Sequence, residues 1–151
     1  MIKLSAFASN LKAEADGEWV EIAELPGVKF KVRGIGYPPF QTDLKLVRAR
    51  LIRKYPGTKP IPAEEEDVEN GRLYAKHLLL DWQGIEEGYT PELAMQALTD
   101  PASRQLRGQV AWCASRVGAA PIEAMDILGN SNAASGGGSK VQDETPSGSN
   151  A

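Results

Sequence analysis

Two alternating runs either side of Pro26-Gly27 constrain this chain more than any other feature. Val20 and Ile22 alternate with Glu21 and Glu24, and beyond the break Val28, Phe30 and Val32 alternate with Lys29, Lys31 and Arg33. A period of two places one face of each strand on a core and the other in water. Proline fixes the first central φ of a type II turn and glycine accepts the positive second one, so residues 18–34 are expected to form a β-hairpin. Glutamates on the first strand and lysines on the second can pair across the exposed face, for about 0.2 to 1 kcal/mol each. An isolated hairpin is marginal in water, so later segments must cover its apolar face.

Those segments read as helices. After Gly34-Ile35-Gly36-Tyr37-Pro38-Pro39 breaks the strand, Phe40, Leu44, Val47, Leu51 and Tyr55 recur at spacings of four, three, four and four, one face of an α-helix that Pro56-Gly57 ends. Lys45, Arg48, Arg50, Arg53 and Lys54 stand away from that stripe and make the outer side basic. The acidic run Glu64-Glu65-Glu66-Asp67 suits the positive end of the next helix. That helix is expected to continue through Leu73, Tyr74, Leu78, Leu79, Leu80 and Trp82 to Gly84 as the central helix, being apolar around most of its circumference. Thr90-Pro91-Glu92 and Asp100-Pro101 each place an N-cap oxygen before a first-turn proline, which predicts two short helices in succession. Leu106, Val110, Cys113 and Val117 form the apolar stripe of the second, Gly118 closes it, and Pro121 opens a last turn or two with Ile122, Met125 and Leu128.

The expected fold is mainly α with a small N-terminal β-hairpin, an α+β class in which four to five helices pack as one compact domain over residues 17–128. Residues 1–16 read as a loosely ordered lead-in. Residues 129–151, rich in Gly, Ser and Asn with almost nothing large and apolar to bury, read as a disordered tail. Across 151 residues, 42% hydrophobic and 25% charged side chains are ordinary for a soluble domain, so the chain as a whole folds.

Reactive chemistry is scarce. A single cysteine, Cys113, excludes an internal disulfide and favours an intracellular setting. His77 is the only histidine, so no N and S ligand set for zinc exists. Cys113 lies on an apolar stripe where a thiol is inert core, and His77 reads as a helix-surface or boundary residue. Gly34-Ile35-Gly36 lacks the third glycine of a dinucleotide loop and reads as a turn. The acids at 64–67 and Glu86-Glu87 read as solvated caps, not as an acid–base pair or cation site. No enzyme activity, metal or cofactor is therefore expected. No stretch approaches the ~18 apolar residues of a membrane span, and no export signal is evident at the amino terminus. The net charge of -3 disfavours nucleic acid as a partner. The basic helix keeps three readings open: a phosphate-facing patch, a solvated face, or a protein contact neutralised by the acidic run of the next helix or of another copy.

Three stretches taken in order resemble the short tail assembly chaperone encoded between the tail tube and tape measure proteins of long-tailed bacteriophages. They are the hairpin Glu18 to Arg33 leading through Pro39-Phe40-Gln41 into a basic helix; His77-Leu78-Leu79-Leu80-Asp81-Trp82-Gln83-Gly84-Ile85, similar to a family helix that ends in a Trp-x-Gly turn; and Tyr89-Thr90-Pro91-Glu92 with Ala97-Leu98-Thr99-Asp100-Pro101, Arg104 and the closing helix. The resemblance covers residues 17–117 and carries no catalytic group. It implies binding of the tape measure protein to keep its helices soluble, recruitment of the major tail (tube) protein, self-association, and a longer form made by programmed frameshifting near the end of the frame. It also implies action in the host cytoplasm and absence from the mature virion.

A chaperone of amphipathic helices needs an apolar groove or ridge with polar edges. The candidate contact residues are Tyr37, Phe40 and Tyr55 around the basic helix, Trp82, Ile85 and Tyr89 around the following turn, and Trp112 just off the last stripe. Core packing is the competing role for each aromatic. Lys45, Arg48, Arg50, Arg53 and Lys54 form the candidate charged surface. Two other functions fit the same residues: a virion structural protein of the head-to-tail connector or tail completion type, and a small nucleic-acid-binding regulator using the basic helix.

Overall fold

The hairpin forms where the alternation places it. In the structure, a computed structural model that describes residues 1–123, strands β1 (Glu18–Glu21) and β2 (Lys29–Val32) pair antiparallel, with Val20 opposite Phe30 and Glu21 opposite Lys29. The Leu25 N–H donates to the Ile22 carbonyl at 3.1 Å and the Val28 N–H to the Leu25 carbonyl at 3.0 Å, so the reversal is made of two successive turns. Pro26 and Gly27 hold the centre of the second, where Gly27 takes φ +88° as a type II turn requires. Phe30 and Val32 are buried and Lys29 is exposed.

The helices are α1 (Leu11–Asp16), α2 (Pro38–Lys54), α3 (Ala63–Leu73), α4 (Pro91–Leu98) and α5 (Arg104–Arg116). With the sheet they make an α+β fold, and the central element differs from the sequence expectation. Helix α3 ends at Leu73, one π-helical turn (Tyr74–Leu78) follows, and the Leu79 N–H closes it on the Tyr74 carbonyl. The chain then enters strand β3 (Leu79–Gln83), which pairs with the free edge of β2 to give the sheet order β1-β2-β3. The helix expected through Leu73, Tyr74 and Leu78 is present as far as Leu78, and its expected continuation through Leu79, Leu80 and Trp82 is thus corrected to a strand. A short apolar run buried on both sides has no periodicity to separate helix from strand, and the open edge of β2 decides it. Phe30 faces Trp82, Lys31 faces Asp81 and Val32 faces Leu79, leaving Leu80 as a bulge.

Helix α2 buries Phe40, Val47 and Leu51 as its stripe predicts, with Leu44 partly buried beside them. Thr90 caps α4, its Oγ1 accepting from the Leu93 N–H at 3.0 Å. The second helix begins at Arg104, three residues later than Pro101 suggests. Asp100 Oδ1 accepts from the Ala102 N–H at 2.9 Å and its carbonyl from the Ser103 N–H at 2.9 Å, so Asp100-Pro101 builds a turn of its own before α5. The π turn lies at the centre of the packing, in contact with α2, α3, α4, α5 and β3.

Residues 11–16, read from the sequence as part of the lead-in, form α1 with Asn10 as its N-cap. The Asn10 side chain accepts from the Ala13 N–H at 3.1 Å, and Glu14 is 8% exposed. Gly34, Gly36 and Gly118 make room for Glu14: a Cβ on Gly34 or Gly118 would lie 2.6 or 2.5 Å from its Cγ. Residues 10–118 form one compact unit; among the described residues, Met1–Ser9 and residues 119–123 belong to another. In that other unit Leu4–Phe7 makes a 3-10 turn, and the Ala120 N–H meets Glu123 Oε1 at 2.8 Å as a helical turn opens at Pro121. Met125, Leu128 and the tail expected over 129–151 lie outside the described residues.

Candidate functional site

The hairpin's apolar face is longer than the helices that cover it. Val32 is sealed, but Val28, at the turn end of the same face, opens into a cavity of about 570 Å³ with Leu25, Ile85 and Leu106, and the buried Phe30 lines its inner end. A second opening of about 240 Å³ shares Ile85 and Leu106 and extends to Trp82, Leu93 and Ala97. A third, of about 200 Å³, shares Glu24, Gln105 and Gln109 with the first and reaches Trp112. The first two make one apolar groove between the hairpin turn, the segment after β3, and α5, and the third continues it towards Trp112 as a polar extension lined by Glu24, Gln105 and Gln109. Leu106 explains the asymmetry of α5: Val110 and Cys113 on its stripe are fully buried, whereas Leu106 is half-buried at the groove wall.

The floor is held rigidly. Trp82 and Tyr89 cross edge to face at 5.2 Å and 88°, a favoured aromatic geometry. Trp82 Nε1 donates to the Glu87 carbonyl at 2.7 Å, and the Tyr89 hydroxyl donates to the Leu79 carbonyl at 3.4 Å. Burial, with Asp81 and Glu92 nearby, raises the Tyr89 hydroxyl above its ordinary pKa. Leu25 and Trp112 at the outer end are 47% and 42% exposed.

Of the aromatic residues singled out in the sequence, the groove brings together Trp82 and Trp112, with Ile85 between them and Tyr89 behind Trp82. Tyr37, Phe40 and Tyr55 lie elsewhere. Phe40 is 1% exposed, with the Tyr74 and His77 rings about it; Tyr37 carries the Arg33 guanidinium 4.6 Å above its ring; and the Tyr55 hydroxyl donates to Glu65. Leu25, Val28, Leu93, Ala97 and Leu106, which also line the groove, are not among the candidate contact residues of the sequence. Leu25, a large apolar side chain in a turn, was the one available signal.

The basic side of α2 divides in two. Arg50 reaches Glu69 at 2.9 Å and Lys54 reaches Glu65 at 2.7 Å, so part of it is neutralised by α3 within the fold. Lys45, Arg48 and Arg53 are exposed. A polar recess of about 280 Å³ lies between Asn70, Tyr74, Arg104 and Arg107.

Cys113 is fully buried, and burial pushes its thiol up to about 11. His77 Nε2 sits 2.7 Å from Asp43 Oδ2, which also accepts from Lys76 Nζ at 3.1 Å. These two hydrogen bonds, His77 first, hold the Asp43 carboxyl below the usual carboxylate range. Among the described residues, no group of three or more His, Cys, Asp or Glu side chains is placed to hold a metal ion. Nor is any described helix long and apolar enough to cross a membrane.

Fold and groove together define a small α+β protein that presents an apolar cleft at the junction of a three-stranded sheet and its helices. The chain belongs to the YdaY prophage protein family, whose sequence model matches residues 35–130. It is therefore a phage-derived protein. The matched span takes in β3, α2 to α5 and the helical wall of the groove, while the hairpin precedes it. No curated protein and no solved structure matches the chain.

Proposed function

We propose that this prophage protein is a tail assembly chaperone. It binds the tape measure protein in the host cytoplasm, keeps its helices soluble, helps recruit tail tube subunits, and is absent from the mature virion. It does so by contact, without catalysing a reaction. The observation that carries this reading is the apolar groove running from Trp82 past Ile85 and Leu106 to Val28 and Leu25, with a polar extension towards Trp112, whose size and open sides suit an amphipathic helix laid along it. The phage origin of the family supports it. One feature departs from the resemblance: the stretch ending in Trp82-Gln83-Gly84 is a strand and turn, not a helix.

Co-expression of the full chain with the tape measure protein of the same prophage tests the proposal. The expected result is a higher soluble yield of that protein and its recovery with the chain in a pull-down, both lost in Leu106→Glu. Absence of rescue together with absence of a complex removes the proposal. Stoichiometric recovery of the chain from purified virions by mass spectrometry would make it a structural component instead.

A further inference from the structure

We propose that the groove selects a helix whose apolar ridge is flanked by lysine or arginine. The inference rests on the reading of the groove as the partner site. Of all the side chains lining the three openings, only Glu24 and Glu87 carry charge, and no lysine or arginine lines any of them. Glu24 borders the end nearest Trp112, and Glu87 borders the end nearest Trp82. Both are exposed, and neither forms an ion pair among the described residues. The Arg116 guanidinium, on the same helix as Gln105 and Gln109, is stacked over the Trp112 ring at 4.9 Å.

Two acids at the ends of an apolar cleft impose one sign of potential on it, and low-dielectric walls focus that field. A helix docked in the cleft takes water from both carboxylates. An apolar or acidic flank would leave each one desolvated and unpaired, whereas a basic flank replaces the lost water with a charge-assisted hydrogen bond. The charges therefore choose the partner and its register, while the apolar ridge supplies the contact area.

A second copy offering α2 is the rival occupant, since Leu46 and Ile52 are each 62% exposed there among Lys45, Arg48 and Arg53. Six residues apart, however, those two side chains stand about 120° from each other around the helix and form no single ridge. The groove needs apolar residues at i, i+3 or i+4, and i+7.

The test titrates the full chain, followed by tryptophan fluorescence, with synthetic helical peptides of about five turns that share one leucine ridge and differ only in lysine or glutamate flanks. The lysine peptide should bind at least about tenfold tighter, with a preference that shrinks as salt rises. The double variant Glu24→Lys, Glu87→Lys should reverse the order. Equal affinity of the two peptides, binding of neither, or a preference untouched by the double variant overturns the inference. So does a concentration-dependent dimer in sedimentation that the double variant abolishes and the lysine peptide fails to dissociate, because the groove would then belong to a second copy. Tape measure rescue that survives in the double variant would defeat the charge selection and leave the chaperone reading standing. Lysine-peptide selection without any rescue by the wild-type chain would do the reverse.

Discussion

Arg107 donates from Nη1 to the carbonyl oxygen of Leu98 at 3.1 Å, from a side chain only 6% exposed. The same nitrogen reaches the Asp100 carbonyl at 2.7 Å, and Nη2 reaches that of Pro101 at 3.2 Å. One buried cation thus satisfies the end of α4 and the turn that leads to α5. Arg107→Ala should cost about 2 to 4 kcal/mol, since it strands buried carbonyls as well as removing charged hydrogen bonds. Arg107→Lys should recover only part, because an ammonium cannot fork across carbonyls as a guanidinium does. Urea denaturation measures both, and a neutral Arg107→Ala would refute the capping role.

Gly71 and Gly108 both sit inside helices, where intrinsic propensity favours alanine by about 0.8 to 1 kcal/mol. At Gly108 a Cβ meets nothing within 4 Å, so Gly108→Ala should show that gain. At Gly71 a Cβ would run into the Leu98 carbonyl oxygen, in rigid backbone. Gly71→Ala should therefore lose about 2 kcal/mol or more, since overpacking outweighs propensity. Thermal melts of the two variants should move in opposite directions; two upward shifts would mean that α3 and α4 are not in contact at Gly71.

Acid should weaken the fold through Asp43 and Glu65. The Asp43 carboxyl is held below its ordinary 3.8 by His77 and Lys76, and Glu65 below its ordinary 4.5 by Lys54 and Tyr55. A carboxyl lowered on folding adds stability that is complete above its unfolded value and is lost as pH falls through the folded one. Urea midpoints should hold steady from neutral down to about pH 5 and then decline. Asp43→Asn should flatten that decline, modestly because the side chain is partly exposed. An unchanged acid limb in Asp43→Asn would sink the assignment.

The Cys113 thiol, fully buried and pushed up to about 11, offers almost no thiolate at neutral pH. Native chain should resist alkylation and react only as denaturant unfolds it. Cys113→Ala should cost about 1 kcal/mol through the small cavity it leaves. Labelling as fast as a free thiol in the native state would contradict the packing of α5.

Legibility followed locality. The Pro26-Gly27 turn, the Phe40 to Leu51 stripe and the Thr90 cap are each set by side chains within one element, and all are present in the structure. Asp100-Pro101 was misleading because an aspartate that caps a turn and one that caps a helix use the same oxygen. For the groove, Trp82 and Ile85 were legible as apolar side chains around a turn, and Trp112 as an aromatic just off the α5 stripe. Leu106 was not, since its spacing matches that of Val110 and Cys113 and only the reach of the covering elements sets it apart.

By itself the sequence determined where the chain turns, which faces of the hairpin, α2 and α5 are apolar, and that reactive side chains are few, because periodicity, caps and composition act over a handful of neighbouring residues. Tertiary structure alone decided that Leu79 to Gln83 is a strand, that Gly71 and Arg107 serve Leu98, and that a groove remains open beside Leu106. Each of those depends on the meeting of segments far apart in the chain: the unpaired edge of β2 outweighed the local preference of a leucine run, and apolar surface is exposed only where no other element arrives to cover it.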